Sequence, residues 1–230
     1  MTESKVVMTD PKQHDYFYEE AIKTLRTNIQ FAGTKTKSIV VTSAYPNEGK
    51  SDIVFQLALE MGKMGKRVLI LDADIRKSSF VSRFQVTEKV EGLSQYLSGQ
   101  CKAREIIYNT NFDGVDIIFA GPTAPNPSEL LGQESFGELV HTMREKYDYV
   151  LVDTPPIGNL SDAAVAAGQC DGAVLIIESG LVSRRVAKKA KEQLEMSGCR
   201  LLGAVLNKMD IKKDKYYSKY SYYYYHDESK

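Results

Sequence analysis

The chain has 230 residues, 43% of them apolar and 26% charged, which is enough apolar material for one folded domain. Its 30 basic and 30 acidic side chains cancel, so no overall field draws it toward nucleic acid or an anionic membrane. The three cysteines lack metal-site spacing, and neither a signal peptide nor an apolar run of the ~20 residues that span a bilayer is present. We therefore expect a cytosolic protein whose membrane attachment, if any, comes from a partner.

The predicted elements alternate between helices and short β-branched strands. The first is a helix over 16–31, with Ile22, Leu25 and Ile29 on its apolar face. The strand candidates are 38–43, 67–72, 115–120, 149–153, 173–177 and 201–207, and the later helices are 53–63, 128–146, 161–168 and 183–197. An insert over 76–113 carries one short helix that closes at Gly99. Buried apolar strands alternating with helices predict a doubly wound, mostly parallel α/β fold.

A phosphate-binding loop follows the first of these strands. Residues 44–51 read AYPNEGKS, which matches GxxxxGK[ST] except that Ala44 replaces the opening glycine. In a strand–turn–helix setting, the backbone amides of such a loop surround the β-phosphate of a nucleotide. Lys50 is then expected on the β- and γ-phosphates and Ser51 on Mg²⁺, and the remaining nucleotide-contact candidates are Pro46, Asn47, Glu48, Gly49 and Asp52.

Asp52 is unusual in this position. Many phosphate loops carry a hydroxyl residue directly after the Ser51 equivalent, close to the α-phosphate, whereas this chain places a carboxylate there. The helix dipole favours an acidic side chain in the first turn by roughly 0.3 to 1 kcal/mol. We nevertheless expect Asp52 to weaken nucleotide binding, because its charge has the same sign as the phosphates.

Three more carboxylates follow two other strands. The sequence LILDADIR places Asp72 and Asp74 at the end of one strand, and YVLVDTPP places Asp153 at the end of another. Ligands of doubly wound sheets bind at the carboxyl ends of the strands, so we expect these acids to meet at the phosphate loop. Ser51, Asp72 and Asp153 are the predicted ligands of a nucleotide-bound Mg²⁺.

Tyrosines crowd the last part of the sequence. Seven of the fourteen lie in the stretch YYSKYSYYYY, at positions Tyr216, Tyr217, Tyr220, Tyr222, Tyr223, Tyr224 and Tyr225. Packing does not require consecutive tyrosines among Lys, Ser, Asp and His. The cluster has two interpretations: a low-complexity segment without a specific role, or a row of hydroxyl groups that are accessible for phosphorylation. We therefore divide the chain into a nucleotide-binding domain, 1–210, and a flexible tail, 211–230.

The combined motifs resemble those of the bacterial tyrosine kinases of capsular and exopolysaccharide operons, the BY-kinases. The resemblance covers the phosphate loop with Pro46, the LILDADIR and VLVDTPP segments, AGPTAPNPSELL and the tyrosine cluster. It implies a P-loop fold of the MinD/ParA type, ATP and Mg²⁺ as cofactors, and autophosphorylation of the tail. It also implies that Lys50 and Ser51 hold phosphate and metal, that Asp72 and Asp74 activate the tyrosine, and that Asp153 completes the metal site.

The resemblance further implies a homo-oligomeric ring in which a tail enters the neighbouring site. The family motif for that contact is Glu-x-x-Arg-x-x-Arg, and Glu20, Lys23 and Arg26 stand at its positions, with Lys23 as a departure. The implied partners are a separate transmembrane activator at the inner face of the membrane, a cognate tyrosine phosphatase and sugar-nucleotide enzymes as substrates.

Two rival functions share parts of this pattern. A MinD/ParA-type regulatory ATPase would have the same sheet, but its signature lysine falls where this chain has Tyr45. A GTPase is suggested by the sequence from Asn207 to Asp210, NKMD, which resembles the NKxD that reads guanine. Asn207 is therefore included among the nucleotide-contact candidates, since the BY-kinases also carry an Asn-Lys pair there.

Overall fold

The computed structural model describes residues 4–10, 12–158 and 160–210, and the tyrosine cluster lies outside them. The strands of the described part are β1 Ser4–Lys5, β2 Ser38–Ser43, β3 Val68–Asp72, β4 Tyr108–Asn109, β5 Val115–Ile118, β6 Tyr149–Asp153, β7 Gly172–Glu178 and β8 Leu201–Asn207. The α-helices are α1 Tyr16–Phe31, α2 Lys50–Lys63, α3 Phe80–Arg83, α4 Leu93–Leu97, α5 Pro127–Leu131, α6 Glu134–Lys146, α7 Asp162–Ala167 and α8 Arg184–Met196. One 3₁₀ turn, Ala103–Glu105, precedes β4.

The strands form one sheet in the order β1-β4-β5-β3-β6-β2-β7-β8. All neighbouring pairs are parallel except β4 and β5, which form an antiparallel hairpin. The predicted doubly wound, mostly parallel α/β fold is thus confirmed. The order also places β2 directly beside β6, and β6 beside β3, so the loops after these three strands emerge next to one another.

Both faces of the sheet are covered. Val40 of β2 and Leu69 of β3 point into one apolar cluster, which includes α6, α7 and α8. Ile39 of β2 and Ile70 of β3 point into the other cluster, which includes α1, α2 and α3. Because successive side chains of a strand face opposite ways, a sheet between two helix layers needs apolar residues at nearly every position. This explains the continuous apolar runs of the sequence.

Helix α1 has the predicted bounds because both its ends and its buried face are specified locally. Asp15 caps it by accepting a hydrogen bond from the Tyr18 amide at 2.8 Å. Ile22 and Ile29 are buried, while Leu25 packs at the margin of the same cluster. Across the described ranges, none of the helices combines the length and the apolar character needed to cross a bilayer.

The structure corrects three parts of the sequence prediction. The insert over 76–113 contains α3 and a 3₁₀ turn in addition to the short helix that was predicted, α4. The single helix expected over 128–146 is divided into α5 and α6, with a break at Gly132 and Gln133. The two-residue strands β1 and β4 were not predicted, because they are too short to show an apolar period. β1 pairs with β4 in parallel, and the Val6 amide extends this pairing by donating to the Asn109 carbonyl at 2.9 Å.

Gly62 lies where α2 packs closely against the start of β5, and it provides a test of this packing. A Cβ atom at Gly62 would lie 2.6 Å from the Asp113 carbonyl oxygen and 3.2 Å from Val115 Cγ2. We expect Gly62→Ala to lower the free energy of unfolding in urea by roughly 1 to 3 kcal/mol, because overpacking outweighs the better helix propensity of alanine.

The matched control is Gly203→Ala, since no atom lies within 4 Å of a Cβ at that position. We expect the control to change stability by less than about 0.5 kcal/mol. Equal stability of Gly62→Ala and wild type would show that this contact can relax without cost.

Candidate active site

The phosphate loop turns directly from β2 into α2. Gly49 has φ 89° and Asn47 has φ 65°, both in the left-handed region, and α2 starts at Lys50. The start of α2 therefore faces the loop, as an anion site requires. Ala44, the residue that replaces the opening glycine, is buried, and a Cβ at Gly158 would lie 2.3 Å from its carbonyl oxygen. The loop after β6 thus packs tightly on the phosphate loop.

Buried hydrogen bonds of Glu48 hold the phosphate loop in shape. The Glu48 side chain is fully buried, and its carboxylate accepts from the Tyr45 amide at 2.5 Å and the Glu178 amide at 2.6 Å. The Asn207 amide group donates to the Glu48 carbonyl at 2.8 Å. Lys208 donates to the Asn47 carbonyl at 2.6 Å. These contacts give Glu48 and Asn207 a bracing role in the loop, and their predicted contact with nucleotide stays a prediction.

The structure brings Asp72, Asp153 and Ser51 together. Asp72 and Asp153 are register partners at the ends of the neighbouring strands β3 and β6, and both are buried. The Ser51 hydroxyl donates to Asp153 Oδ2 at 2.5 Å. Asp153 Oδ1 is buried and has no hydrogen-bond partner among the described residues. The expected meeting of strand-end carboxylates with the phosphate loop is therefore present.

Asp74 lies two residues beyond this pair and is almost fully buried. Its carboxylate accepts from the Lys77 amide at 3.0 Å, and its own amide donates to Asp72 Oδ1 at 3.2 Å. Ser78, which the sequence analysis did not select, donates its hydroxyl to Asp72 Oδ2. The segment after β3 thus folds back on itself and fixes both carboxylates.

Burial changes the acidity of the two strand-end carboxyl groups. Burial and then the Asp153 charge raise the pKa of Asp72 to about 8. Burial also raises the pKa of Asp153, although the Lys50 charge and the Ser51 hydrogen bond offset part of that rise. A divalent cation would relieve both effects, because the hydrogen-bond donors to these two carboxylates among the described residues are neutral groups.

The donor set fits Mg²⁺ that is held partly by phosphates. In the described part of the chain, no group of three or more His, Cys, Asp or Glu side chains forms a metal site by itself. Mg²⁺ usually takes one or two carboxylates together with water and substrate phosphates. The Ser51 hydroxyl, the Asp72 carboxylate and the unpartnered Asp153 Oδ1 supply the oxygen ligands that such a site needs.

The remaining predicted contact residues also lie around the loop. Lys50, the first residue of α2, is half-buried and close enough to lower the pKa of Asp153. Pro46 and Asn47 are exposed. Asp52 pairs with Lys12 and Arg83. The sequence contains no local signal for these two ion pairs, since the partners are far apart along the chain.

Comparison with known proteins identifies the family. A family model described as an AAA domain matches residues 36–179. The tyrosine-protein kinase CpsD of Streptococcus agalactiae is 40% identical over 192 residues, which cover 84% of this chain and 84% of the relative. The chain belongs to the bacterial tyrosine kinases. The resemblance read from its motifs is thus confirmed.

Solved structures agree with this assignment and with the fold. The kinase domain of the Escherichia coli tyrosine kinase ETK superposes with a TM-score of 0.79 at 34% identity, covering 82% of this chain and 74% of that one. The septum site-determining protein MinD of Pyrococcus horikoshii, solved with Mg-ADP, has a TM-score of 0.67 at 25% identity, covering 76% and 71%. This bacterial tyrosine kinase therefore has the predicted MinD-like P-loop fold.

The predicted oligomer contacts of the kinase lie on α1. Lys23 and Glu20 pair at 2.7 Å, with 42% and 44% of their side-chain surfaces exposed. Arg26 is more buried and pairs with Glu60 of α2 at 3.5 Å. The three residues thus share a helix, but Arg26 is already used within the subunit. Their role in oligomerisation stays a prediction.

Sequence reasoning missed a partly buried ion pair beside the site. Arg76 pairs through two nitrogens with Asp162 at the start of α7, and Ser128 of α5 donates to the same carboxylate. Burial alone would raise the pKa of Asp162, but the bonds from Arg76 and Ser128 hold it below its usual value. This contact ties the segment after Asp74 to α5 and α7, which pack in the same apolar cluster as Ile75.

The pKa of Asp72 leads to a stability prediction for the kinase in the absence of nucleotide and Mg²⁺. The folded protein binds this proton more tightly than an unfolded chain, in which the pKa is near 3.8. The contribution of this proton to the free energy of unfolding is complete below pH 3.8 and is lost as the pH rises through about 8. Asp72→Asn removes this loss, so the variant should exceed wild type in stability by a few kcal/mol at about pH 9 and by little near pH 4.

Urea unfolding across that pH range measures the difference. Asp113→Asn, which changes an exposed carboxylate, is the control and should show no such trend. A stability difference between Asp72→Asn and wild type that is independent of pH would contradict the raised pKa.

Proposed function

We propose that the kinase transfers the γ-phosphoryl group of ATP to tyrosines of its own C-terminal cluster. The observation that carries the proposal is the meeting of Ser51, Asp72 and Asp153 at a phosphate loop, in a chain of this family that has seven tyrosines between positions 216 and 225. The acceptors are Tyr216, Tyr217, Tyr220, Tyr222, Tyr223, Tyr224 and Tyr225. These residues lie outside the described part of the structure.

Each residue of the site has a proposed role in phosphoryl transfer. The backbone of 46–51 and the Lys50 ammonium bind the β- and γ-phosphates of the substrate, as in other phosphate loops. Ser51, Asp72 and Asp153 hold Mg²⁺, which supplies positive charge to the phosphate oxygens when bound. Support for the nucleotide class comes from the MinD neighbour, whose structure was solved with Mg-ADP.

Asp74, with Asp72, is proposed to orient the incoming tyrosine and accept its proton. As the bond between the γ-phosphorus and the bridging oxygen breaks, the phenolic oxygen forms the new bond, and ADP is the leaving group. A phenol titrates near pH ~10, so an ordinary carboxylate is a weak base for it. A loose phosphoryl-transfer transition state relaxes this demand, because the proton can leave late.

Tail length permits transfer within a subunit and between subunits. Lys208 contacts the phosphate loop, so the chain leaves the described domain close to its own site. Residues 211–225 span roughly 45 to 50 Å if extended, or about 20 Å as a flexible coil. We propose transfer in trans within a ring, in which α1 presents Glu20, Lys23 and Arg26 to a neighbour.

The proposed setting is the inner face of the cell membrane. A separate transmembrane activator recruits the otherwise cytoplasmic kinase, and a cognate phosphatase removes the phosphates. Sugar-nucleotide enzymes are proposed as further substrates, which would link the kinase to capsular or exopolysaccharide synthesis. The support is family membership, since the CpsD relative bears the name of a tyrosine-protein kinase.

The central test is Lys50→Met. We expect tyrosine phosphorylation with Mg-ATP to fall at least about 100-fold, because the charge that stabilises the transferred phosphoryl group is lost. Thermal unfolding should be close to wild type, since the change retains the length of the side chain. Lys63→Met, on the exposed end of the same helix, is the control and should retain activity. Normal phosphorylation by Lys50→Met would rule out this site.

A mixing experiment distinguishes trans from cis transfer. One protein carries Lys50→Met with an intact tail, and the other carries an intact site with all seven tail tyrosines changed to Phe. Each alone should remain unlabelled, while the mixture with Mg-ATP should place phosphate on the Lys50→Met protein. Mass spectrometry assigns the label to each chain, and an unlabelled mixture would contradict transfer in trans.

The same experiment tests the surface of α1. Adding Glu20→Lys to both proteins should reduce the transfer and leave ATP binding unchanged. Labelling of the protein without tail tyrosines, when it is incubated alone, would place the acceptor outside the tail.

A further inference from the structure

Asp52 places a carboxylate inside the phosphate-binding machinery. It follows Ser51 directly in the first turn of α2, and only 13% of its side-chain surface is exposed. A carboxylate this close to a triphosphate would repel it, and partial burial strengthens the repulsion because little water screens it. The protein therefore needs a means of compensating the charge of Asp52.

Two cations from distant segments contact this carboxylate. The guanidinium group of Arg83, the last residue of α3, pairs with Asp52 Oδ1. The ammonium group of Lys12, in the segment before α1, pairs with Asp52 Oδ2. Each carboxylate oxygen thus has its own cation, in the arrangement expected for strong charge-assisted hydrogen bonds.

Asp10 adds a second carboxylate to this cluster, so its two carboxylates and two cations have balanced formal charges. Asp10 accepts from the Lys12 amide at 3.0 Å and from the Gln56 side chain of α2. Asp10 and Asp52 carry two negative charges, and Lys12 and Arg83 carry two positive ones. Burial lowers the pKa of Arg83, and the nearby Asp153 and Asp10 carboxylates partly offset that effect. Arg83 is therefore close to the proposed metal ligands as well as to Asp52.

We propose that Arg83 and Lys12 set the affinity of this kinase for nucleotide by masking the Asp52 charge. The ion pairs orient the carboxylate toward the cations and away from the phosphates, so a residue that would exclude a triphosphate is tolerated. Arg83 and Lys12 are positioning residues in this scheme, because they act through Asp52. The inference depends on the proposed function only in that the phosphate loop binds a nucleotide.

The masking scheme differs from direct phosphate binding by these cations. If Arg83 left Asp52 and bound phosphate itself, its removal would cost no more affinity with the Asp52 carboxylate than without it, because breaking the ion pair offsets part of the gain. Under masking, the loss of nucleotide affinity on removal of Arg83 depends on Asp52. Without Arg83, the negative charge of Asp52 repels the phosphates, and Asp52→Asn removes that charge. A double-mutant cycle between the two positions separates these cases.

The experiment measures Kd values for Mg-ATP by calorimetry for wild type, Arg83→Met, Asp52→Asn and the double variant. We expect Arg83→Met to weaken binding at least about tenfold in the wild-type background and less than about threefold with Asp52→Asn. Equal losses in both backgrounds, or no loss in the first, would overturn the proposal. Arg83→Lys keeps the charge and should retain most of the affinity.

Ligand charge provides a second readout that a loss of structure would not reproduce. The effect of Arg83→Met should be largest for ATP, smaller for ADP and absent for adenosine, because only the phosphates meet the exposed carboxylate. An equal loss for adenosine would indicate a general distortion and contradict masking. Thermal unfolding without ligand checks the fold of each variant.

Lys12→Met provides the same cycle if Arg83→Met does not fold. Lys12 lies outside helices and strands, and half of its side-chain surface is exposed, so its replacement disturbs little packing. Failure of the two proposals can be told apart. A wild-type protein that binds Mg-ATP without phosphorylating tyrosine would contradict the kinase function and leave the cycle readable, whereas a wild-type protein that binds no nucleotide would contradict both.

Discussion

The placement of two buried carboxylates at the ends of adjacent parallel strands constrains the rest of this site. Asp72 and Asp153 lie side by side because β3 and β6 are neighbours in register. Two negative charges on neighbouring buried side chains repel each other, and the loss of hydration on burial adds to the free-energy cost. A fold selected for stability alone would not place them together. A divalent cation between them would make the arrangement favourable, and this geometry supports the proposal of a magnesium nucleotide at the site.

The phosphate loop of this kinase depends on residues far along the chain. Glu48 is fixed by the amide of Glu178 at the end of β7, and Asn207 at the end of β8 donates to the Glu48 carbonyl. A Cβ at Gly49 would lie 2.4 Å from the Asn207 side-chain nitrogen, so the glycine is required by close approach as well as by its positive φ. Strand β8 therefore supports the phosphate loop between β2 and α2.

The sequence predicted the features that depend on local or periodic patterns. The strands next to the site could be located because burial on both faces leaves continuous apolar runs. Helix α1 could be located because of its apolar face, and the structure adds the Asp15 cap. The position of Asp153 followed from the general rule about strand ends. The division of α5 from α6 was missed, because the apolar period continues through Gly132 and a single glycine does not decide whether a helix ends there.

Contacts between distant polar residues were beyond the reach of the sequence. Nothing in the local pattern around Asp52 indicates that Lys12 and Arg83 converge on it, since one precedes α1 and the other ends a four-residue helix. The same holds for Arg76 and Asp162, which are 86 residues apart. Patterns of apolar residues report burial, whereas the pairing of charges depends on the finished tertiary structure.

The ion pairs with Lys12 and Arg83 change the interpretation of Asp52, which the sequence alone predicts to weaken nucleotide binding. Read in isolation, Asp52 places a negative charge where phosphates bind. In the folded protein it connects three segments, because Lys12 belongs to the chain before α1, Arg83 to the insert after β3, and Asp52 to α2. The insert also packs on α2 through Phe84, and the ring centroids of Phe84 and Phe55 are 4.1 Å apart. Apolar packing thus brings Arg83 to the start of α2, and under the proposed masking of Asp52 this packing also contributes to nucleotide binding.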